Sequence, residues 1–198
     1  MLPIDGFKAN IHRVRELGGL YLALNSLTTK IINADDILRS QLVMAVSALD
    51  YYIHEVVRKG ILDIFSGKRP VVAGIKSFQV SLVDAQSAIA SGSHQWVDET
   101  IRLKHSYLSF QHPDKIADAI RLIYPDPIWP KIEHRLTIPV KTLKDTLRLI
   151  VDRRNKIAHE ADMDPSFPGA RWPISKPDVD RAIEFLDRLC EAIDAEVS

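Results

Sequence analysis

Three residues near position 155 have the types and the spacing of a site that acts on a phosphate. Arg154 is followed directly by Asn155, and His159 comes four residues later. A guanidinium can clamp phosphate oxygens through two parallel hydrogen bonds, and an imidazole can carry a proton near pH 7. The amide of Asn155 can orient these groups. These residues are therefore the candidate catalytic set.

Arg154 interrupts the hydrophobic pattern of its own segment. At 100° per residue, six apolar side chains fall within about 60° of it on a helical wheel. They are Leu143, Leu147, Ile150, Val151, Ile157 and Ala158. Burying an unpaired guanidinium costs several kcal/mol, so Arg154 needs a partner or a function. From the pattern alone, an interhelical ion pair and a phosphate site both remain open.

One flank of this segment is basic. Asn155 and His159 lie at about 100° and 140° from Arg154, and Arg148 shares that flank at about 120°. The candidate substrate-binding residues are Arg148, Lys144, Arg153 and Asp50. Asp50 pairs with His54 at i,i+4 in an earlier segment. Two roles remain open for Asp50: it orients the side chain of Arg154 or of His159, or it makes an ordinary interhelical contact.

The angle of about 140° between Arg154 and His159 favours a dimer, because one helix cannot easily aim both side chains at one phosphate. Two copies of the helix that cross on a two-fold axis would place each motif opposite its mate. A cation in an apolar stripe would then face a cleft between two chains.

The elements that carry these residues are predicted to be helical almost throughout. Apolar residues recur at three and four from Ile37 to Ile64 after an Asn33–Asp36 start signal, and regularly from Val140 to about Ala161. Ser175-Lys176-Pro177-Asp178 has capping-box spacing before a last helix. Other helices are expected at 11–27, 77–90, 94–110 and 113–122, and the first of these is expected to be interrupted at Gly18-Gly19. The segment 124–130 cannot be regular helix because of its prolines. The predicted class is all-α, a helical bundle.

Composition limits the classes of protein that this sequence fits. The 198 residues are 46% hydrophobic and 26% charged, which is ordinary for a globular chain. We expect a single domain over 1–198 with a proline-rich loop at 162–177. The first helix is expected at about 7–27, and the sequence leaves open whether it lies at the periphery of the domain. Lys and Arg equal Asp and Glu at 26 each, so no global basic field indicates nucleic acid. With no signal peptide pattern and no long apolar run, we expect a cytoplasmic protein without membrane contact.

Other candidate sites are weaker. The remaining histidines lack metal-site spacing and Cys190 is the single cysteine, so we expect no metal and no cofactor. Trp129 and Trp172 lie in proline-rich loops, where an aromatic ring either packs over the core or stacks on a nucleic-acid base.

The run Asp152-Arg153-Arg154-Asn155-Lys156-Ile157-Ala158-His159-Glu160 resembles the R-N-x-x-x-H signature of the HEPN superfamily, and in particular its RiboL-PSP-HEPN branch. The order of the Leu143–Val151 stripe, the proline-rich loop and the Pro177-Asp178-Val179 start of the last helix is also similar. The segment Ala48–Glu55 is similar to the long early helix of that branch.

The resemblance implies a homodimeric bundle with the motif helices at the two-fold interface, acting as a metal-independent endoribonuclease of toxin or phage-defence systems. Arg154 and His159 would match the catalytic pair, and Asn155 the polar residue after the arginine. RNA would be the substrate, and a cognate antitoxin or defence-system protein a partner. In HEPN toxins paired with nucleotidyltransferase antitoxins, a tyrosine lies two residues after the histidine. Here Ala161 has that position, so this mode of control is in doubt. The alternative is a non-catalytic module of the same fold that binds RNA or a nucleotide, or serves dimerisation.

Overall fold

The computed structural model describes residues 2–27, 34–83, 85–86 and 95–198. Within these ranges the chain forms seven α-helices and one short 3-10 helix at Ala73–Ser77, with no strand longer than the isolated bridge between Met163 and Arg171. The α-helices are α1 (Pro3–Leu27), α2 (Asp35–Phe65), α3 (Gln95–His105), α4 (Pro113–Ile120), α5 (Ile128–Leu136), α6 (Val140–His159) and α7 (Lys176–Val197). The expected all-α class is confirmed.

Helix α2 is the centre of the bundle. It contacts α1, α3, α4, α6 and α7, and it carries fifteen buried residues along its 31-residue length. A helix that is apolar on more than one face has to be covered on more than one side, which explains the number of its neighbours. Helix α1 packs along α2 through Phe7, Ile11 and Val14, each at most 1% exposed.

The three most periodic predictions agree with the structure. Helices α2 and α6 begin and end within two residues of the expected bounds. The predicted N-cap at the start of α7 is also present, because the hydroxyl oxygen of Ser175 accepts a hydrogen bond from the Asp178 N–H. The reciprocal half of a capping box is replaced, since the Asp178 carboxylate accepts from the Ser175 hydroxyl and not from its backbone N–H. Cys190 is buried in the apolar stripe of α7.

The predicted interruption at Gly18-Gly19 is wrong, because α1 runs through both glycines without a break. Gly18 is buried against α2, and a Cβ built there would lie 2.8 Å from Nε2 of Gln41. Gly18 therefore allows two helices to approach closely, and Gly19 faces open space.

Several predictions for the middle of the chain also need correction. Residues 78–81 are not helical, whereas 82–83 and 85–86 are, so the helix expected at 77–90 begins later than predicted. The helix expected to reach Phe110 ends at His105. A helix was missed at Ile128–Leu136, where Pro130 lies in the first turn and its missing N–H breaks no intrahelical bond. Asn33 and residues 87–94, which include the end of one expected helix and the start of the next, lie outside the described residues.

The site is positioned by α6. Its first three turns bury Leu143, Leu147, Ile150 and Val151 and pack on α2, α4 and α5. Beyond Val151 no residue of α6 is fully buried, although Ile157 still packs against the core, so the last two turns carry the motif at the edge of the core.

Candidate functional site

Arg154 is half-buried at the point where the apolar stripe of α6 reaches the surface. Its Nη1 donates a hydrogen bond of 3.0 Å to Oδ1 of the next residue, Asn155. This bond turns the guanidinium away from the stripe, towards the flank on which Asn155 and His159 lie one turn apart. The structure therefore brings the side chains of Arg154 and Asn155 into direct contact. Such contact is required if the residues of the motif act together.

The charge of Arg154 has no carboxylate partner among the described residues, although ion pairs are common elsewhere in the chain. Its Nε is buried and meets no hydrogen-bond acceptor in the same residues. A guanidinium with only one neutral acceptor has most of its five donors available. The geometry thus leaves a half-buried cation with free capacity for an anion.

His159 is the last residue of α6 and is exposed. The chain leaves the helix immediately afterwards, because Ala161 and Asp162 both have positive φ angles, of 52° and 59°. The N–H groups of Glu160 and Asp162 both donate to the carbonyl oxygen of Lys156, which closes the last turn. The imidazole is therefore accessible at the end of a well-capped helix.

A buried ionic cluster fixes the loop that follows the motif. Asp162 is fully buried, and its carboxylate accepts from Nε of Arg39 at 2.7 Å and from Nη2 of Arg153 at 2.9 Å. Both guanidinium groups also donate to the carbonyl oxygen of Trp172, at 3.0 and 3.2 Å. We call Arg39, Arg153 and Asp162 the loop clamp.

Arg153, a candidate substrate-binding residue, therefore makes intramolecular contacts at this position. Burial lowers its pKa, and the nearby charge of Arg39 acts in the same direction while Asp162 opposes it. Two guanidinium groups share one carboxylate here, and Arg39 also lies 3.3 Å from the exposed carboxylate of Asp36.

Lys144 and Arg148 both face Asp114 at the start of α4. Nζ of Lys144 lies 3.3 Å from one carboxylate oxygen, and Nη2 of Arg148 lies 3.7 Å from the other. The hydrogen bond from Lys144 lowers the pKa of Asp114. Arg148 also pairs with Asp145 at 3.0 Å. Because these pairs are partly exposed, each contributes little to stability.

Asp50 binds a different part of the molecule. Its carboxylate accepts a 2.6 Å hydrogen bond from the backbone N–H of Phe110 and lies 3.9 Å from Nε2 of His54. On α2 it is eleven residues from Arg39, or about 16 Å along the helix, whereas Arg39 is the residue that reaches the loop after the motif. Asp50 thus contacts its own helix and the loop after α3, and it makes no hydrogen bond or ion pair with Arg154 or His159 among the described residues.

The described residues contain no group of three or more His, Cys, Asp or Glu side chains placed to hold a metal ion. No helix among the described residues has both the length and the apolar character that crossing a membrane requires.

The comparisons with known proteins agree with the motif and the fold. The sequence model of the RiboL-PSP-HEPN family matches residues 8–198, and the chain belongs to this family. No curated protein and no solved structure matches the chain significantly. Membership in a HEPN family suggests a nuclease or an RNA-binding module, since HEPN domains are often ribonucleases.

The loop clamp was missed by reasoning from the sequence. Arg39 lies three residues before Leu42 and seven before Val46, on the buried side of α2, and is itself only 7% exposed. A cation inside an apolar stripe was the signal that identified Arg154, and the same criterion applied to α2 would have identified Arg39. No comparable signal marks Asp162, because a loop has no periodicity.

Proposed function

We propose that the chain is a cytoplasmic, homodimeric, metal-independent endoribonuclease of toxin or phage-defence type. The observation that carries the proposal is Arg154. It is half-buried, it donates to Asn155, and it lacks a carboxylate partner among the described residues. A phosphodiester in that position would meet the unused donors of the guanidinium, and the accessible His159 lies on the flank to which the guanidinium turns.

The reaction would be an in-line attack of a ribose 2′-hydroxyl on its own phosphodiester. His159 would take the 2′ proton, and Arg154 would stabilise the negative charge that develops on the phosphorus oxygens. The O2′–P bond forms and the P–O5′ bond breaks. The 2′ proton is in the end carried to the 5′ oxygen, so that the products are a 2′,3′-cyclic phosphate and a 5′-hydroxyl. DNA would be inert, because it lacks the nucleophile.

The dimer belongs to the same proposal. Only the first part of α6 is fully buried, and the turns that carry Arg154 and His159 lie at the edge of the core, with Arg154 half-buried and His159 exposed. Two such ends that meet on a two-fold axis would enclose a crevice with two copies of each group.

The test is cleavage of a single-stranded RNA by the purified protein in EDTA. The wild-type protein should cut, and an RNA with one 2′-deoxy substitution at the cut site should resist at that site. His159→Ala and Arg154→Ala should each lower the rate by at least about 100-fold, while His159→Ala leaves the dimer intact in analytical ultracentrifugation. Undiminished cleavage by both variants would exclude this mechanism.

A second candidate is a binding or assembly module of the same fold without cleavage. The observation that favours it is again the unpaired charge of Arg154, because a carboxylate of a second chain would satisfy it as well as a phosphate would.

The biological role would be tested by the neighbouring genes. An adjacent small regulator would indicate a toxin, and a defence ATPase would indicate an effector.

A further inference from the structure

An aromatic ring lies beside the last turn of α6, next to the proposed catalytic residues. The centroid of the Trp172 indole is 5.1 Å from Nζ of Lys156, and the indole is half-buried while Lys156 is exposed. Lys156 precedes His159 by three residues, so their Cβ atoms are neighbours at about 5–6 Å on the helix surface. The indole therefore lies at the same end of α6 as His159, on the side from which Lys156 projects.

The position of Trp172 is fixed by its backbone. Its N–H donates 2.9 Å to the carbonyl oxygen of Asp162, and its own carbonyl oxygen accepts from Arg39 and Arg153 of the loop clamp. Because Asp162 is fully buried, the loop is held from inside the molecule. The backbone that carries the ring is thus in place before any ligand binds, which lowers the entropic cost of using the ring as a binding surface.

The other two tryptophans have different surroundings. Trp129 is only 4% exposed, and its indole N–H donates to the carbonyl oxygen of Pro113 at 3.1 Å. Trp96 packs edge-on against Phe65 with ring centroids 5.8 Å apart. Trp129 also adjoins α6, because Nζ of Lys144 lies 5.8 Å from its ring centroid, but this contact is near the start of the helix. Of the three tryptophans, Trp172 is the one whose ring adjoins the last turn, which carries His159.

We propose that Trp172 is the platform on which the nucleobase next to the scissile phosphate stacks. This inference rests on the proposed ribonuclease function and makes it more specific. A base inside a duplex is already stacked on both sides, so the substrate would be RNA that is single-stranded at this nucleotide.

Lys156 serves as a removable cover of this platform. A cation–π contact at an exposed site is worth a factor of about 2 to 5 in equilibrium, whereas stacking of a base on an aromatic side chain is worth a factor of about 5 to 150. The base therefore displaces the ammonium group. Once displaced, the ammonium of Lys156 is free to contact a backbone phosphate of the same strand.

The experiment measures binding rather than cleavage. The full-length protein is titrated against a fluorescent 2′-O-methyl oligoadenylate, which lacks the nucleophile, and against the same oligomer with one abasic position scanned along it. For the wild-type protein, one abasic position should weaken binding by about 5- to 150-fold. Trp172→Phe should reduce that loss and Trp172→Leu should remove it, while Lys156→Gln should keep the loss and lower the salt dependence by about one counterion.

The matched control is Tyr107→Leu, which removes an aromatic ring that is 84% exposed and outside the motif helix. It should leave the abasic effect unchanged. A purely structural role of Trp172 would weaken binding of all oligomers alike. An abasic effect of the wild-type size in Trp172→Leu overturns the inference, and so does its absence from the wild-type protein. If Trp172→Leu does not fold, an undiminished effect in Trp172→Phe overturns it.

The outcome is independent of the cleavage assay. A wild-type protein that does not cut RNA but shows the Trp172-dependent abasic effect would contradict the ribonuclease proposal and leave the stacking site standing. A protein that cuts RNA but shows no Trp172-dependent abasic effect would support the ribonuclease proposal and contradict the stacking site.

Discussion

Arg39 of α2 donates its Nε to the carboxylate of Asp162 over 2.7 Å, although 123 residues separate the two in the sequence. The side chains are 8% and 1% exposed, so the pair is shielded from water. Through it, the central helix of the bundle holds the loop that begins two residues after His159. The end of the motif helix is consequently fixed by the core and not only by its own hydrogen bonds.

Replacing Asp162 by Asn is expected to destabilise the fold by about 3–5 kcal/mol, because it leaves the guanidinium groups of Arg39 and Arg153 without their shared carboxylate. The asparagine tolerates the positive φ angle of 59°, so the substitution removes charge without backbone strain. Urea denaturation measures the change. The control is Asp118→Asn, whose partner Arg121 is 65% exposed and which should cost under about 1 kcal/mol. Equal effects of the two substitutions would contradict the role of the loop clamp.

Two glycines in helices should respond to alanine with opposite signs. A Cβ at Gly60 of α2 would lie 2.6 Å from a methyl carbon of Ile123, whereas a Cβ at Gly19 of α1 would meet nothing within 4 Å. Gly60→Ala is therefore expected to destabilise by about 1–3 kcal/mol through overpacking. Gly19→Ala should stabilise by up to about 1 kcal/mol, because alanine has the higher helix propensity. Urea denaturation of both variants measures the change in the free energy of unfolding relative to the wild-type protein. A stabilising effect of Gly60→Ala would contradict the close contact between α2 and the turn at Ile123.

Stability should fall between pH 7 and pH 4 because of His105. Burial lowers the pKa of this histidine to about 4, and the charge of neighbouring His54 acts in the same direction. The unfolded state, with a pKa near 6.5, takes up a proton first as the pH falls, so the folded state loses up to about 3 kcal/mol between pH 6.5 and pH 4. Above pH 6.5 the contribution of His105 is fully present.

His105→Leu isolates this effect. The ring of His105 lies among aromatic neighbours, with the centroid of Phe110 at 5.4 Å and that of Phe78 at 6.2 Å, so an apolar side chain suits the site. The difference in unfolding free energy between pH 7 and pH 4 should be smaller in the variant than in the wild-type protein by up to about 3 kcal/mol. Parallel pH profiles for the two proteins would contradict the assignment.

Periodicity predicted the parts of the fold in which one residue type repeats on one face. The stripes of α2, α6 and α7 follow directly from burial against neighbouring helices, so their spacing appears in the sequence. Helix α5 was missed because Pro127 and Pro130 suggested a break, whereas proline in a first turn costs no intrahelical bond. The glycines of α1 were misinterpreted for a related reason, since only the tertiary contact with Gln41 explains Gly18.

The candidate site likewise has one part that the sequence predicted and another part that only the structure shows. The sequence predicted Arg154 in the middle of the apolar stripe, because an odd residue in a regular pattern is visible in one sequence. In the structure its side chain is half-buried, where the stripe reaches the surface. The pairing of Arg39 with Asp162, and the position of Trp172 beside Lys156, depend on loops whose path has no sequence period. Contacts between residues so far apart cannot be found without an observed fold.

Arg154 separates the enzyme from the assembly module. If it binds a phosphate, Arg154→Ala should abolish cleavage, and Arg154→Lys should still lose about 100- to 1000-fold, because lysine keeps the charge but not the planar fork. The dimer should survive both substitutions, and the unfolding free energy should not fall, since a half-buried cation without a carboxylate stabilises little. If Arg154 instead pairs with a carboxylate across the interface, Arg154→Ala should yield a monomer in analytical ultracentrifugation, as breaking a buried ion pair at an interface does. A monomeric Arg154→Ala variant, together with a wild-type protein that does not cut RNA, would exclude the ribonuclease.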